Sequence, residues 1–330
     1  MNILNIHNGD VSANAARSAG IPGDHVPWRE SLVTGRASAG LGRAEWIAIR
    51  AQHLSNAYGA DMQRCSEEMI AMEEMLDASP AFDELVLWFD DDLFCQTILW
   101  YLLSRLESMQ FEQTIVTNAG RISHPLADDP PEGTMGRSPE EIFALRTELP
   151  AELIAEGARH WRAYGSAEPT DLDAAFHLPS PTSARAQHAM FAHMLRYPST
   201  HNGLNHIETL VITDLDEPTL FPDVFRRICN SGISFGYGDC QLWYDLQFLA
   251  AGAHPLMKLT GVGDPGTAIA RGTFSHAMLS RTDAGTAVLL GEADAVKLNG
   301  VRRWLGGVWL DGGTTDWRWD RTDRHLVNVR

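Results

Sequence analysis

An α/β fold is predicted, with an open, mostly parallel sheet flanked by helices in the N-terminal part, then a helical region, then a winged-helix-like α+β module. Three observations predict it. Four short apolar runs lie within residues 1–120, near 2–6, 25–28, 85–89 and 114–117, and helical or turn-forming segments separate them. Each run ends in polar side chains: His7-Asn8-Gly9-Asp10, Arg29-Glu30, Asp90-Asp91-Asp92 and Asn118. From residue 198 onward, three short helical patterns precede strand-like segments.

The first run is followed by a Gly9-Asp10 turn and a helix over 11–18, then by the turn Ile21-Pro22-Gly23-Asp24, which completes a βαβ opening. Residues 45–58 carry Trp46, Ile47, Ile49 and Leu54 near helical spacing. Cys65, Met69, Met72 and Leu76 recur at i, i+4, i+7 and i+11 among glutamates, which predicts an amphipathic helix with its methionines in the core. The run 85–89 is continuously apolar, as for a strand covered on both faces, and a helix over 93–106 follows it.

A Pro/Gly/Asp-rich stretch over 125–136 reads as a linker, giving an α/β domain over 1–124, a helical region over 137–197 and the last module over 198–330. Ser138-Pro139-Glu140-Glu141 is a capping box with proline at the first helical position. Helical patterns run through Trp161 and Tyr164, through Phe176 and over 184–195, so this region is expected to be all-helical. Helices are then expected over 204–215, 219–229 and 238–251. Strands are expected over 274–279, 306–310 and 317–319, with a helix over 284–297.

The chain has 330 residues, 44% of them hydrophobic, the composition of a soluble globular protein. Acidic residues number 43 against 26 basic, and the resulting charge of -17 repels nucleic acid and anionic membranes on average. Arg226-Arg227 and Arg302-Arg303 are the local exceptions. Cys65, Cys95, Cys229 and Cys240 form no CxxC pair or zinc-type spacing, which fits a reduced, cytoplasmic protein. No secretion signal is read at the N-terminus, and no stretch approaches ~18 apolar residues. Walker, HExxH, GxSxG, kinase and zinc-finger patterns are absent.

The four polar run ends carry the functional expectation, because open parallel sheets bind ligands at the carboxyl edge. His7, Asp10, Glu30, Asp90 and Asp92 are the candidates for acid–base chemistry, and Asn8, Gly9, Trp28, Arg29, Gln96 and Asn118 for ligand contact. Histidine can exchange a proton, and an adjacent aspartate can orient its ring. A turn at Asn8-Gly9 with Asp10 as a helix cap is the competing explanation, and it leaves His7 without a task. Arg29 can clamp a carboxylate or phosphate with Trp28 as a wall, or can pair with a neighbouring acid. One cap needs one aspartate, so the run Asp90 to Asp92 exceeds that need. If these oxygens and the imidazole converge, they suit a divalent ion such as Mg²⁺ or Mn²⁺. The C-terminal tryptophans Trp304, Trp309, Trp317 and Trp319 read either as a small core or as a surface for stacking on a partner.

At these residues the chain resembles the bacterial domain-of-unknown-function family numbered 1835. The resemblance lies in His7 to Asp10, Gly20 to Gly23, Trp28-Arg29-Glu30, and Leu87 to Leu93 with Gln96. It departs at Asp91, where the family often has histidine, and in the short spacing from His7 to Gly9 and Asp10. The stretches around Tyr197-Pro198-Ser199-Thr200, Gly238-Asp239 and Arg303-Trp304-Leu305 resemble longer members. What the resemblance implies is a two-part protein, with no catalytic role attached to any residue. Two functions follow as expectations. The first is an α/β domain that binds, or as an enzyme acts on, a small anionic or phosphorylated ligand. The second is a regulatory protein whose last module binds a protein partner or a second copy of the chain, with DNA disfavoured by charge. A scaffold whose polar run ends are only caps and ion pairs is the third alternative.

Overall fold

The computed structural model describes residues 1–109, 114–119, 137–178, 184–312 and 316–330. The expected linker over 125–136 lies outside them. The N-terminal sheet contains β1 (Ile3–His7), β2 (Asp24–Pro27), β3 (Glu84–Trp88), β4 (Ile115–Asn118) and β5 (Thr147–Glu148), in the order β2-β1-β3-β4-β5. The first four strands are parallel and β5 is antiparallel to β4. Between them run α1 (Asp10–Ser18), α2 (Arg43–Tyr58), α3 (Met62–Asp77) and α4 (Leu93–Glu107).

Every residue of β1 and β3 is buried, which is why both appear in the sequence as unbroken apolar runs. Alternation then sorts their side chains. Leu4, Ile6, Leu85 and Leu87 enter the main core with α2, α3 and α4. Ile3, Val86 and Trp88 face the other way, against Ala16 of α1 and Ile142 of α5 (Pro139–Ala144). Asn5 is fully buried on that second face and is satisfied there, accepting from Trp88 Nε1 at 3.1 Å and donating to the carbonyls of Pro22 and Asp24.

The capping box at Ser138 forms as expected, and α6 (Ala151–Tyr164), α7 (Pro169–His177) and α8 (Ala184–Met194) follow. The middle region is nevertheless not all-helical, because Thr147–Glu148 becomes the fifth strand of the sheet. Arg146 anchors that turn by donating to both oxygens of the buried Glu84 at 2.7 and 3.0 Å. A two-residue strand has no periodicity to read.

The last part holds α9 (His206–Asp214), β6 (Thr219–Leu220), α10 (Phe221–Cys229), α11 (Asp239–Leu246), β7 (Met257–Thr260) and β8 (Met278–Arg281). Strands β6, β8 and β7 form a small antiparallel sheet in that order. The strand expected over 274–279 is displaced, since Phe274–His276 is a turn of 3₁₀ helix and pairing begins at Met278. The single helix expected over 284–297 is two, α12 (Asp283–Leu289) and α13 (Ala295–Asn299), separated at Gly291, whose φ of 75° ends the first. Two hairpins follow: β9 (Arg302–Leu305) with β10 (Val308–Asp311), and β11 (Trp317–Asp320) with β12 (His325–Asn328). One continuous apolar cluster extends from Leu4 to Leu326. No helix of the described residues is long and apolar enough to cross a membrane.

Candidate functional site

The strand order places a switch point between β1 and β3. From β1 the chain crosses through α1 to β2 on one side, and from β3 it crosses through α4 to β4 on the other. The loops after β1 and β3 therefore part at the carboxyl edge, which is where such sheets form a crevice. Asn8 ties the loop after β1 to the first turn of α4 by donating to Cys95 Sγ at 3.3 Å.

His7 ends β1 and is fully buried. His25 Nε2 lies 3.0 Å from the Ile21 carbonyl and must donate to it, so His25 Nδ1 is an acceptor and His7 Nε2, 2.9 Å away, donates to it. His7 Nδ1 then accepts from the Ser12 hydroxyl at 3.0 Å. Both rings are neutral in this relay. Burial, followed by the nearby His25 and Arg17, lowers the His7 pKa to about 3. The ring stacks between His25 and Trp88, with centroids 5.2 and 5.1 Å away.

Asp10 opens α1, and Arg29 reaches it from the end of β2 with two hydrogen bonds of 2.9 and 2.8 Å. The guanidinium's hydrogen bonds hold the Asp10 carboxyl below its ordinary range. Both side chains are about half exposed, at 43% and 51%. Helix α1 has no side-chain cap at Gly9, and a Cβ placed on Gly9 would meet only open space.

Glu30 turns inward instead. Its carboxylate pairs with Arg50 of α2, which is completely buried and also donates to the carbonyls of Ser31, Thr34 and Arg36. Trp28 is buried in the core, 6.0 Å from the Tyr101 ring.

The three aspartates after β3 divide their work. Asp92 caps α4 by accepting from the Cys95 N–H at 2.7 Å. Asp90 is buried, with one carboxylate oxygen accepting from the Asp91 N–H and its carbonyl accepting from Gln96 Nε2 at 2.6 Å. A hydrogen bond with Asp90 holds Asp91 below the usual carboxyl range against the cost of burial, and Arg185 adds to this from 4.0 Å. Asn118 ends β4 and pairs in register with Leu87 and Thr147.

Residues from the C-terminal part close over this end of α4. The N–H groups of Leu93 and Phe94 donate to the carbonyls of Ser234 and Phe235 at 3.1 Å. Gly236 follows with φ of 65°, and its α-carbon sits so close to the Asp92 carboxylate that no side chain fits between them. The edge is thus asymmetric: protein groups fill the α4 end, while the α1 end opens beside Gly9.

The structure thus joins Asp10 with Arg29 and, through Asn8, the loop after β1 with α4. It turns His7 and Glu30 toward separate buried partners. Among the described residues, a three-donor grouping with ligating atoms within 4.8 Å of one another occurs at Asp173, His177 and His325, not among the residues expected to hold Mg²⁺ or Mn²⁺. Sequence reasoning missed Ser12, His25 and Arg50: His25 and Arg50 lie 18 and 20 residues from their partners, and Ser12 meets His7 only because α1 folds back beside β1. Gly236 stood in plain view only as part of a turn. No protein-family model matches the chain, and no curated protein matches it.

Proposed function

We propose that the carboxyl edge of the N-terminal sheet binds a small anionic or phosphorylated ligand beside Gly9, with Arg29 as its cationic contact. The observation that carries this reading is the open, uncapped start of α1 at a switch point, next to a half-exposed arginine. Helix N-termini favour anions through their N–H groups and dipole. Asp10 holds Arg29 in place and is the group a ligand anion would displace or share. Binding is favoured over acid–base catalysis, since His7 has both nitrogens engaged and Glu30 is neutralised by Arg50.

Calorimetric titration with inorganic phosphate, nucleoside phosphates and sugar phosphates, with and without Mg²⁺, tests this. Saturable binding is expected, tightened in Asp10→Asn and lost in Arg29→Gln and in Gly9→Val, whose side chain enters space free of protein atoms. No binding across the panel, or binding indifferent to Arg29→Gln, overturns the reading.

A second reading has its own observation. The succession α9, β6, α10, α11, β7, β8, with sheet order β6-β8-β7, follows the winged-helix pattern and supports a module for a protein partner. Its third helix, α11, which would face DNA in such a module, packs on α2 and the loop before it: Gln241 donates to Ser31 Oγ of that loop, and the Tyr244 ring lies edge-on to His53 of α2. Arg226 and Arg227 lie on α10, paired with Asp223 and Asp214. Both facts favour a protein partner over DNA.

A further inference from the structure

The geometry points to a divalent transition-metal site formed by Asp173 and His177 of α7 with His325 of β12, a site independent of the sheet edge. Asp173 and His177 are four residues apart on one helix and so share a face. The hairpin β11–β12 brings His325 to that face: its Nδ1–H donates to Asp173 Oδ2 at 2.9 Å, and the Leu326 N–H donates to Asp173 Oδ1 at 3.3 Å. His177 Nε2 is 3.8 Å from the same carboxylate, and the two imidazoles stack with centroids 3.8 Å apart. One carboxylate and two imidazoles are the donor set of the zinc class of cations.

All the ligating atoms lie within 4.8 Å of one another. A tetrahedral cation at about 2.0–2.2 Å from each donor holds its donors about 3.3–3.6 Å apart, so the rings must draw in. Small rotations of the two rings, 35% and 50% exposed, complete the arrangement, while the Asp173 carboxylate is nearly buried and fixed. His177 Nε2–H donates to the Arg324 carbonyl at 2.9 Å. A cation takes the ring's lone pair in place of that bond, and the neutral ring carries its proton on the other nitrogen.

The turn of this hairpin is held beside the cluster by its own contacts. Arg324, the residue before His325, is the non-glycine residue with positive φ among those described, at 55°. Such a conformation persists where its surroundings impose it. Here the Arg324 guanidinium lies over the rings of Phe176 and Phe191, and Asp320 accepts from the N–H groups of Thr322 and Asp323. His177 also borders a surface cavity of about 520 Å³ with His188, Phe191 and Arg324, which leaves room for a further, exchangeable ligand.

Titration of the full chain with Co²⁺ as a spectroscopic probe, followed by Zn²⁺ competition, tests the site. One equivalent is expected to give the visible absorption of tetrahedral or five-coordinate Co²⁺ and to be displaced by Zn²⁺. His325→Gln and His177→Gln should each weaken Zn²⁺ affinity by about 100-fold or more, whereas His254→Gln keeps it. Zn²⁺ should raise the Tm of the parent chain and not that of His325→Gln, an exposed substitution whose folding circular dichroism checks. Absence of a one-to-one Co²⁺ spectrum, or a spectrum that survives both histidine substitutions, overturns the proposal.

Discussion

Arg50 reaches five acceptors inside the core, and Glu30 supplies two of them. Removing one partner of such a pair strands the other charge away from water. Glu30→Ala is therefore expected to lower stability by about 3–5 kcal/mol, read from urea unfolding, with the joint change Glu30→Leu, Arg50→Met costing less. A near-neutral single substitution would contradict this. His7 gives a pH prediction with a definite sign. Its folded pKa of about 3 lies below the ordinary 6.5, so between those values the unfolded chain binds a proton that the native ring refuses. Stability contributed by the neutral ring is full above about pH 6.5 and falls as pH drops toward 3, with a slope of at most about 1.4 kcal/mol per pH unit. His53, also lowered to about 3 by burial, adds to it. Urea midpoints measured across that window should fall, and His7→Gln should flatten the decline.

Among the elements, the end of α4 is the most instructive. Asp92→Ala should cost about 0.5–2 kcal/mol through the lost cap. Gly236→Ala should cost about 1–3 kcal/mol through its left-handed backbone and the collision with Asp92. Because the nearest part of the collision is with the Asp92 carboxylate, with Phe94 Cβ next, the double variant should lose less than the sum, a coupling that thermal melts of all four proteins would reveal. The sequence made β1 to β4 and α1 to α4 readable through periodicity and turn residues, within a few positions at each end. It hid β5 and β6, which are two residues each, and β7, β9 and β12, whose mixed polar and apolar residues carry no run like that of β3, and the helix stop at Gly291 lies within a stretch otherwise compatible with one helix. The polar strand ends were visible as a set. Their orientation was not, because whether Glu30 faces a ligand or Arg50 depends on a helix that begins thirteen residues later.

For the molecule as a whole, the N-terminal sheet and the later helices share one interior. Trp161 lies edge-on to Trp46 and Tyr101, Tyr164 donates to the Leu32 carbonyl at 2.8 Å, and the Ala37 and Ala39 N–H groups bond to Gly306 and Gly165 at 2.9 Å. A fragment comprising residues 1–124 would leave these groups bare. It is expected to bind a hydrophobic dye and to melt without cooperativity, whereas the full chain should lose far-UV dichroism and tryptophan fluorescence in one coincident transition. A cooperative melt of the fragment would count against this. The Ser234–Phe235 carbonyls that terminate α4 give this shared interior a further consequence. They make the far half of the polypeptide a plug in an electrostatic socket at the rim of the other half. Withdrawing the plug would bare a positive helix pole, so an anion arriving at that rim and a partner tugging on residues 234–236 would each alter the other's affinity by the same factor.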